Sequence, residues 1–389
     1  MSATANPPLG PAAYHHIDCK VSAPWTVHRL HKPLLRPPIP QTPNSGPQAT
    51  SRNVKRHARA KRPLGKSAEP AIQLEDGERL PEDLDAPDFT EEDPPGHRTG
   101  YVALIGWPNA GKSTLLNAML GQKLSIVTRK AQTTRHKLLG ILSEPDYQMI
   151  LFDTPGIIQH QKNELDKRMM SNVQQAMKDS EAMLAVIDAA HKPLQDLAGL
   201  QPGPDWSGPP LAMVLNKVDL LTTQQQADLK QHFLENSQVE EVFLASAASG
   251  GGVAAVREWA ASKLPEGPSL YSKEVVSERP ERFFLAEILR EKVFEQYRQE
   301  IPYCSTVQVY NYIDREGKGK DLVEANIVVE REAHRPIILG RNGSALKALS
   351  TAARISMEHF LGKEVYLDLS VKVQDKWRDS LQSVQQLGY

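Results

Sequence analysis

Residues Gly106 to Ser113, "GWPNAGKS", carry the first recognisable chemistry in this chain. Gly106 and Gly111 bracket four residues, Trp107, Pro108, Asn109 and Ala110, and are followed by Lys112 and Ser113. That spacing curls backbone N–H groups around a phosphate chain. Lys112 would reach the β- and γ-phosphates, the Ser113 hydroxyl would bind Mg²⁺, and Thr114 continues the cradle into a helix whose N-terminus adds a positive dipole end. Three more stretches suit the rest of a nucleotide. In "LFDTPG", Asp153 offers a carboxylate that holds Mg²⁺ through water, and Thr154 and Pro155 lead to Gly156, whose N–H can meet a γ-phosphate. In "NKVDL", Asn216 and Lys217 precede Asp219, a double acceptor that suits the N1–H and N2–H₂ donors of guanine and meets no such pair on adenine. In "SAASGGG", Ser246 and Ala247 offer their backbone to the base carbonyl and ribose side. The polar, Thr-rich stretch Ser125–Gly140 supplies a further hydroxyl for Mg²⁺ when a γ-phosphate is present: Thr134 is the candidate, and Thr133 competes with it.

These residues need elements to hold them. Apolar runs Tyr101–Ile105, Gln148–Asp153, Met183–Asp188, Ala212–Asn216 and Val242–Ala245 read as strands, separated by amphipathic helices. The pattern predicts a parallel α/β sheet, which binds its ligands at the carboxyl ends of its strands. "KPLQDLAGLQPGPDWSGPP" is too rich in Pro and Gly for an element and reads as a surface loop. After a linker, Pro265–Pro280, the pattern changes: a charged helix Arg282–Gln299, strands Ser305–Ile313 and Leu322–Val329, a short apolar segment Pro336–Leu339, the loop Gly340–Gly343, a helix Ser344–Leu361 and a strand Glu364–Val373. A GxxG between two helices, here Gly340, Arg341, Asn342 and Gly343, lets the chain approach a nucleic-acid backbone, and Arg335, Arg341 and Lys347 place charge beside it. In this α-β-β-α-α-β context RNA binding is the better reading than a helix-ending turn.

With 389 residues the chain has room for two domains. Its formal net charge of −1 hides an asymmetry: from Met1 to Ala68 the only acidic residue is Asp18, among Arg29, Arg36, Arg52, Lys55, Arg56, Arg59, Lys61, Arg62 and Lys66. An acid-poor, Arg- and Ser-containing start reads as an organelle transit peptide; the alternative is a basic arm that itself touches RNA. The acidic stretch "EDGERLPEDLDAPDFTEEDPP" then reads as a solvated linker. Cys19 and Cys304 are too far apart and too few for a disulfide framework or a zinc site, and no apolar run approaches the ~20 residues of a membrane span. A peripheral membrane contact stays open.

Taken together, "GWPNAGKSTLLN", "KAQTTRHK", "DTPG", "NKVDL", "ERFFLAEILREKVFEQYRQEIPY", "IILGRNG" and the final "LGY" resemble the Era-type GTPases, most closely the organellar, chloroplast-targeted members, over about Tyr101 to Tyr389. The resemblance implies a transit peptide and disordered linker at 1–95, a Ras-like P-loop GTPase domain at 96–268 and an α+β type II KH domain at 281–389. It implies conversion of GTP to GDP and phosphate, and binding near the 3′ end of small-subunit ribosomal RNA, 16S in type, during maturation of the small ribosomal subunit. The compartment implied is the chloroplast stroma, with the mitochondrion as the alternative. It also suggests a K⁺ near Asn109, although Asn109 could instead only shape the loop. Two departures stand out: Trp107 replaces a basic residue of many members, and the Pro/Gly-rich insertion lengthens one loop. Where efficient GTPases place a water-orienting Gln, this chain has Ile157, so intrinsic hydrolysis should be slow. The alternative reading is a structural KH protein whose nucleotide-binding domain is inactive.

Overall fold

The computed structural model describes residues 93–389 apart from 129, 192–207, 238 and 317. The expected transit segment therefore falls almost wholly outside the described residues, as does most of the Pro/Gly-rich insertion.

The first domain is a six-stranded sheet in the order β2-β3-β1-β4-β5-β6. Its strands are β1 (Arg98–Ile105), β2 (Leu138–Ser143), β3 (Tyr147–Asp153), β4 (Ala182–Asp188), β5 (Leu211–Asn216) and β6 (Glu241–Leu244). Every residue of β4 and β5 is buried, as a parallel strand covered on both faces requires. Side chains alternate along β1: Val102 and Leu104 join one core with α1 (Lys112–Leu120) and α4 (Val253–Ser262), while Ala103 and Ile105 join another with α2 (Glu164–Lys178) and α3 (Thr223–Asn236). The sheet is thus a layer between two pairs of helices, and β1, β3, β4 and β5 end along one edge, where the loops of interest emerge.

The sheet departs from the expected five parallel strands. β2 is a sixth, antiparallel to β3, and it takes up Leu138–Gly140 from the segment expected to be loop. Gly140 interrupts the apolar run where the strand packs closely on α1: a Cβ would lie 2.8 Å from Leu120 Cδ1, and that side chain would have to shift to admit one. The linker Pro265–Pro280 is also less free than its composition suggests. Gln148 Oε1 accepts the backbone N–H groups of Leu270 and Tyr271 at 2.7 and 2.9 Å, and Ile141 N–H donates to Val276 O at 2.8 Å.

The second domain begins with α5 (Glu281–Gln296), three residues shorter at its end than expected, and a single turn α6 (Ile301–Cys304). Strands β7 (Ser305–Ile313), β8 (Asp321–Val329) and β9 (Val365–Val373) form a sheet in which β7 and β8 are antiparallel and β8 and β9 parallel. Between β8 and β9 lie α7 (Arg335–Leu339) and α8 (Ser344–Leu361), giving the expected α-β-β-α-α-β order of a type II KH domain. Phe284, Ile288 and Val293 of α5 and Leu349, Ala353 and Met357 of α8 bury against Val323, Ala325 and Ile327 of β8. Beyond the expected elements, a turn at Trp377–Asp379 and a helix α9 (Leu381–Gln386) pack back onto α2.

Candidate nucleotide and RNA sites

The loop from Gly106 to Gly111 joins β1 to α1 and wraps one side of a cavity of about 740 Å³. Trp107, Pro108, Asn109 and Gly111 line it from this loop, Lys112, Ser113 and Thr114 from the first turn of α1, Thr133 and Thr134 from the segment before β2, and Gly156 and Lys217 from just beyond the ends of β3 and β5. Gly111 has φ +96°, and a Cβ there would meet Asn216 Nδ2 at 2.2 Å, so the tight turn admits no side chain. A Cβ on Gly156 would collide with the Pro108 backbone at 2.7 Å. The two loops therefore approach each other closely at the phosphate end.

Lys112 is buried, and its ammonium donates to the carbonyls of Gly106 and Trp107 at 3.1 and 3.0 Å. Burial pulls its pKa down to about 8, against the opposing attraction of Asp153. Asp153 is fully buried, and burial raises its carboxyl above the usual range despite hydrogen bonds from neighbouring hydroxyls. Those hydroxyls converge on one oxygen, Oδ2: Ser113 at 2.6 Å, Ser125 at 2.7 Å and Thr134 at 3.4 Å, with Ser113 and Thr134 2.8 Å apart. The other oxygen, Oδ1, is buried with no hydrogen-bond partner. A buried, unsatisfied carboxylate oxygen beside two hydroxyls is an arrangement of hard oxygen donors that suits Mg²⁺. Thr133, the competing hydroxyl, instead bonds Thr128 Oγ1 at 2.8 Å and Lys130 O at 2.9 Å.

Other expected site residues have structural duties. Asn216 is buried and staples two loops, donating to Ala110 O at 2.9 Å and accepting from Ala247 N–H at 3.0 Å. Thr154 donates its hydroxyl to Leu104 O at 2.6 Å. Asp219 is exposed on a short turn after Lys217, and Asp219, Ser246 and Ala247 fall outside the lining of the cavity. Ile157 is half-buried against the apolar core, with its N–H on Gly106 O at 3.1 Å. Three participants escaped the sequence reading. Ser125 gave no signal beyond its polarity; Asp188, which holds Lys217 Nζ at 2.5 Å, stands at the carboxyl end of β4, where the strand-end rule would have found it. Gln132 lines the cavity with a left-handed backbone, φ +57°.

In the second domain Gly340–Gly343 turns tightly between α7 and α8, and Arg335, Arg341, Asn342 and Lys347 are all exposed beside it. Gly340 has φ +71°, and a Cβ would lie 2.5 Å from Ala345 Cβ; Asn342 and Gly343 are left-handed too, but the space around Gly343 is open.

Comparison with known proteins follows the same division. Residues 101–217 match the family model of the 50S ribosome-binding GTPases, and residues 300–378 match the KH domain. A protein of Zea mays named GTPase ERA1, chloroplastic, is 48 % identical over 295 residues, covering 75 % of this chain and 71 % of its own. The chain belongs to the Era GTPase family. The family extends to bacteria: GTPase Era of Nitratidesulfovibrio vulgaris is 39 % identical over 300 residues, with 97 % of its length covered. A crystal structure of Era with MgGDPNP and nucleotides 1506–1542 of 16S ribosomal RNA aligns with a TM-score of 0.70 at 32 % identity, covering 75 % of this chain and 99 % of that one. An Aquifex aeolicus Era variant bound to GDP and aluminium fluoride aligns with the same score at 33 % identity. This Era-family chain therefore has a Ras-like GTPase domain and a KH domain in sequence. Among its described residues no helix is long and apolar enough to cross a membrane.

Proposed function

We propose that this chain hydrolyses GTP in the cavity beside Lys112 and uses its KH domain to bind the 3′ region of small-subunit ribosomal RNA, assisting maturation of that subunit in the chloroplast. The observation that carries the enzymatic part is the convergence of the Ser113 and Thr134 hydroxyls on Asp153, whose second oxygen is buried and unpartnered. Ser113, Thr134 and, through water, Asp153 would hold Mg²⁺, which supplies positive charge to the phosphate oxygens. Lys112 leaves the Gly106 and Trp107 carbonyls to meet the β- and γ-phosphates, and the N–H groups of the Gly106–Gly111 loop and of Gly156 cradle them. Asp219 reads the guanine edge, with the Ser246 and Ala247 backbone on its carbonyl side and Asn216 holding those loops together. An apolar Ile157 cannot aim the attacking water, so turnover is slow unless RNA, a partner or a cation assists.

The RNA part is supported by the exposed Arg335, Arg341 and Lys347 around Gly340–Gly343, and by the relative solved with a 16S fragment. The compartment is supported by relatives named chloroplastic in maize, rice and Arabidopsis thaliana. The deciding experiment measures phosphate release from GTP with Mg²⁺, with and without an oligonucleotide from the 3′ end of chloroplast small-subunit RNA. Mg²⁺-dependent release that the oligonucleotide accelerates is the expected result. Binding of GTP and RNA without release under either condition would favour the inactive, structural reading.

A further inference from the structure

The residues on either side of Thr134 are held by the second domain. On one side, Arg290 of α5 donates to the Thr133 carbonyl while Glu287 holds its Nε at 2.8 Å. On the other, the buried Arg135 guanidinium donates to the carbonyls of Pro302, Tyr303 and Ser305 at 2.9, 3.1 and 2.8 Å, and to the Tyr389 hydroxyl at 3.2 Å. Lys130 reaches the carbonyls of Phe294 and Tyr297 where α5 ends. Thr134 turns its hydroxyl the opposite way, toward Ser113 and Asp153. One hydroxyl at the phosphate site thus stands on a segment whose flanks are fastened to the KH domain.

Tyr389 completes the fastening. Its ring stacks on His136 with centroids 4.5 Å apart and planes 7° from parallel, and on Trp377 at 5.9 Å and 18°. Its hydroxyl lies 2.7 Å from Thr306 Oγ1 on β7. Trp377 is fully buried, donates to Cys304 O at 3.1 Å, and shares a core with Val328 of β8 and with Met169 and Val173 of α2. The stretch Trp377–Tyr389 therefore touches three things at once: the KH sheet, the segment bearing Thr134, and the helix that follows Gly156.

We propose that Tyr389 is a positioning residue for Thr134: through its stack on His136 and its hydrogen bond to Arg135 it holds the Thr134 hydroxyl at the metal site, which couples triphosphate binding to the packing of the KH sheet. The inference rests on the reading of Thr134 as a Mg²⁺ ligand when a γ-phosphate is present. A coupling of this kind needs a contact that differs between two liganded states, and the Thr134 hydroxyl supplies it, because it is called upon by the triphosphate and not by the diphosphate. Tyr389 should therefore distinguish GTP from GDP although it touches neither.

The test measures affinity for GDP and for a non-hydrolysable GTP analogue, both with Mg²⁺, on the full chain as wild type, Thr134→Ala, Tyr389→Ala, Tyr389→Phe and the Thr134→Ala/Tyr389→Ala double variant, after circular dichroism has confirmed folding. Thr134→Ala and Tyr389→Ala should each weaken the analogue by at least about fivefold while GDP affinity holds. Tyr389→Phe, which keeps both stacks, should lose less. The double variant should bind the analogue no more weakly than Thr134→Ala alone, because both changes remove one contact. Equal loss of GDP and analogue in Tyr389→Ala, additive losses in the double variant, or wild-type analogue binding in Tyr389→Ala would each overturn the proposal. Should Tyr389→Ala fail to fold, the same cycle is run with Tyr389→Leu, which removes both stacks and the hydroxyl but keeps apolar bulk, and is read by the same criteria. If Thr134→Ala alone leaves analogue binding unchanged, the metal reading falls first, and the failure is recognisable because Tyr389 is intact.

Discussion

Around the phosphate cavity Lys112, Asp153 and Asn216 are 5, 0 and 1 % exposed and bonded to other parts of the chain, whereas Arg335, Arg341, Asn342 and Lys347 stand in solvent beside the Gly340–Gly343 turn. Both places bring backbone toward a phosphate, but the charges are handled differently. In the enclosed site a cation and a carboxylate are desolvated before any ligand arrives, which shifts both pKa values and makes each group depend on its neighbours. At the exposed turn the backbone alone is specialised, by positive φ at Gly340, Asn342 and Gly343, three of its four positions, and the charges around it remain solvated. Changes in the first site should therefore be large, and changes at the second should be confined to the second.

The largest effect is expected from Lys112→Ala, which removes the only ammonium in the loop and leaves Asp153 buried without it. Affinity for GTP and GDP should fall by about 100-fold or more, within the usual cost of deleting one partner of a buried charge pair. Titration with a fluorescent guanine nucleotide would read it, and undiminished affinity would break the assignment of the cavity. Asp219→Asn comes next. The exposed carboxylate should matter for identity more than for binding as such, and the amide should shift preference from GTP toward xanthosine triphosphate by about 30-fold. Competition between the two nucleotides measures the shift; a variant that still prefers GTP removes Asp219 from the site.

Gly343→Asp probes the other region. No atom lies within 4 Å of a Cβ built there, and Asp tolerates a left-handed backbone, so the variant should fold. Its carboxylate would face RNA phosphates, and affinity for the 3′-end oligonucleotide should drop by about tenfold while GTP affinity stays at the wild-type value. Loss of both activities would mean that the two regions are not separable in the way their burial suggests.

A milder effect follows from the desolvation of Lys112. Its pKa is lowered to about 8 in the ligand-free site, and a bound phosphate raises it, because the charged form then gains a partner. Nucleotide affinity should be full below pH 8 and decline as the pH rises, by about tenfold per unit at most, until the pKa of the complex is reached. Isothermal titration at pH 7 and pH 9 reads it, together with proton uptake at the higher pH. A flat profile would show that Lys112 is already compensated by Asp153.

How far the sequence revealed these two regions depended on the range of the interactions. The Gly106–Ser113 loop, the wholly buried β4 and β5, and the helix Ser344–Leu361 are local patterns, and their expected limits agree with the structure to within a residue or two. β2 was hidden because Gly140 breaks its apolar run, for a reason lying in Leu120 on another element. Ser125 belongs to the Asp153 cluster through a contact 28 residues away, and Arg135 meets Tyr389 across 254 residues. No periodicity reports such partners, and the same holds for Trp377, whose burial depends on β8 and α2.

The smallest expected effect concerns Asn109, where the contrast between the two regions is least sharp. It lies within the enclosed loop, yet it is exposed and left-handed, with φ +67°, much like Asn342 at φ +51° in the RNA turn. A side chain so placed, lining the cavity but free of the buried core, can offer an amide oxygen to a monovalent cation beside the phosphates. That added positive charge would supply some of the assistance that Ile157 cannot give. Hydrolysis should then run several-fold faster in KCl than in NaCl at equal ionic strength, a modest effect for one weakly held charge in a solvent-facing position. Asn109→Ala should bring the KCl rate down to the NaCl rate without changing GDP affinity. Equal rates in the two salts would leave Asn109 as a turn residue only, and the exposed end of the loop would then serve shape alone, as the left-handed positions of the RNA turn do.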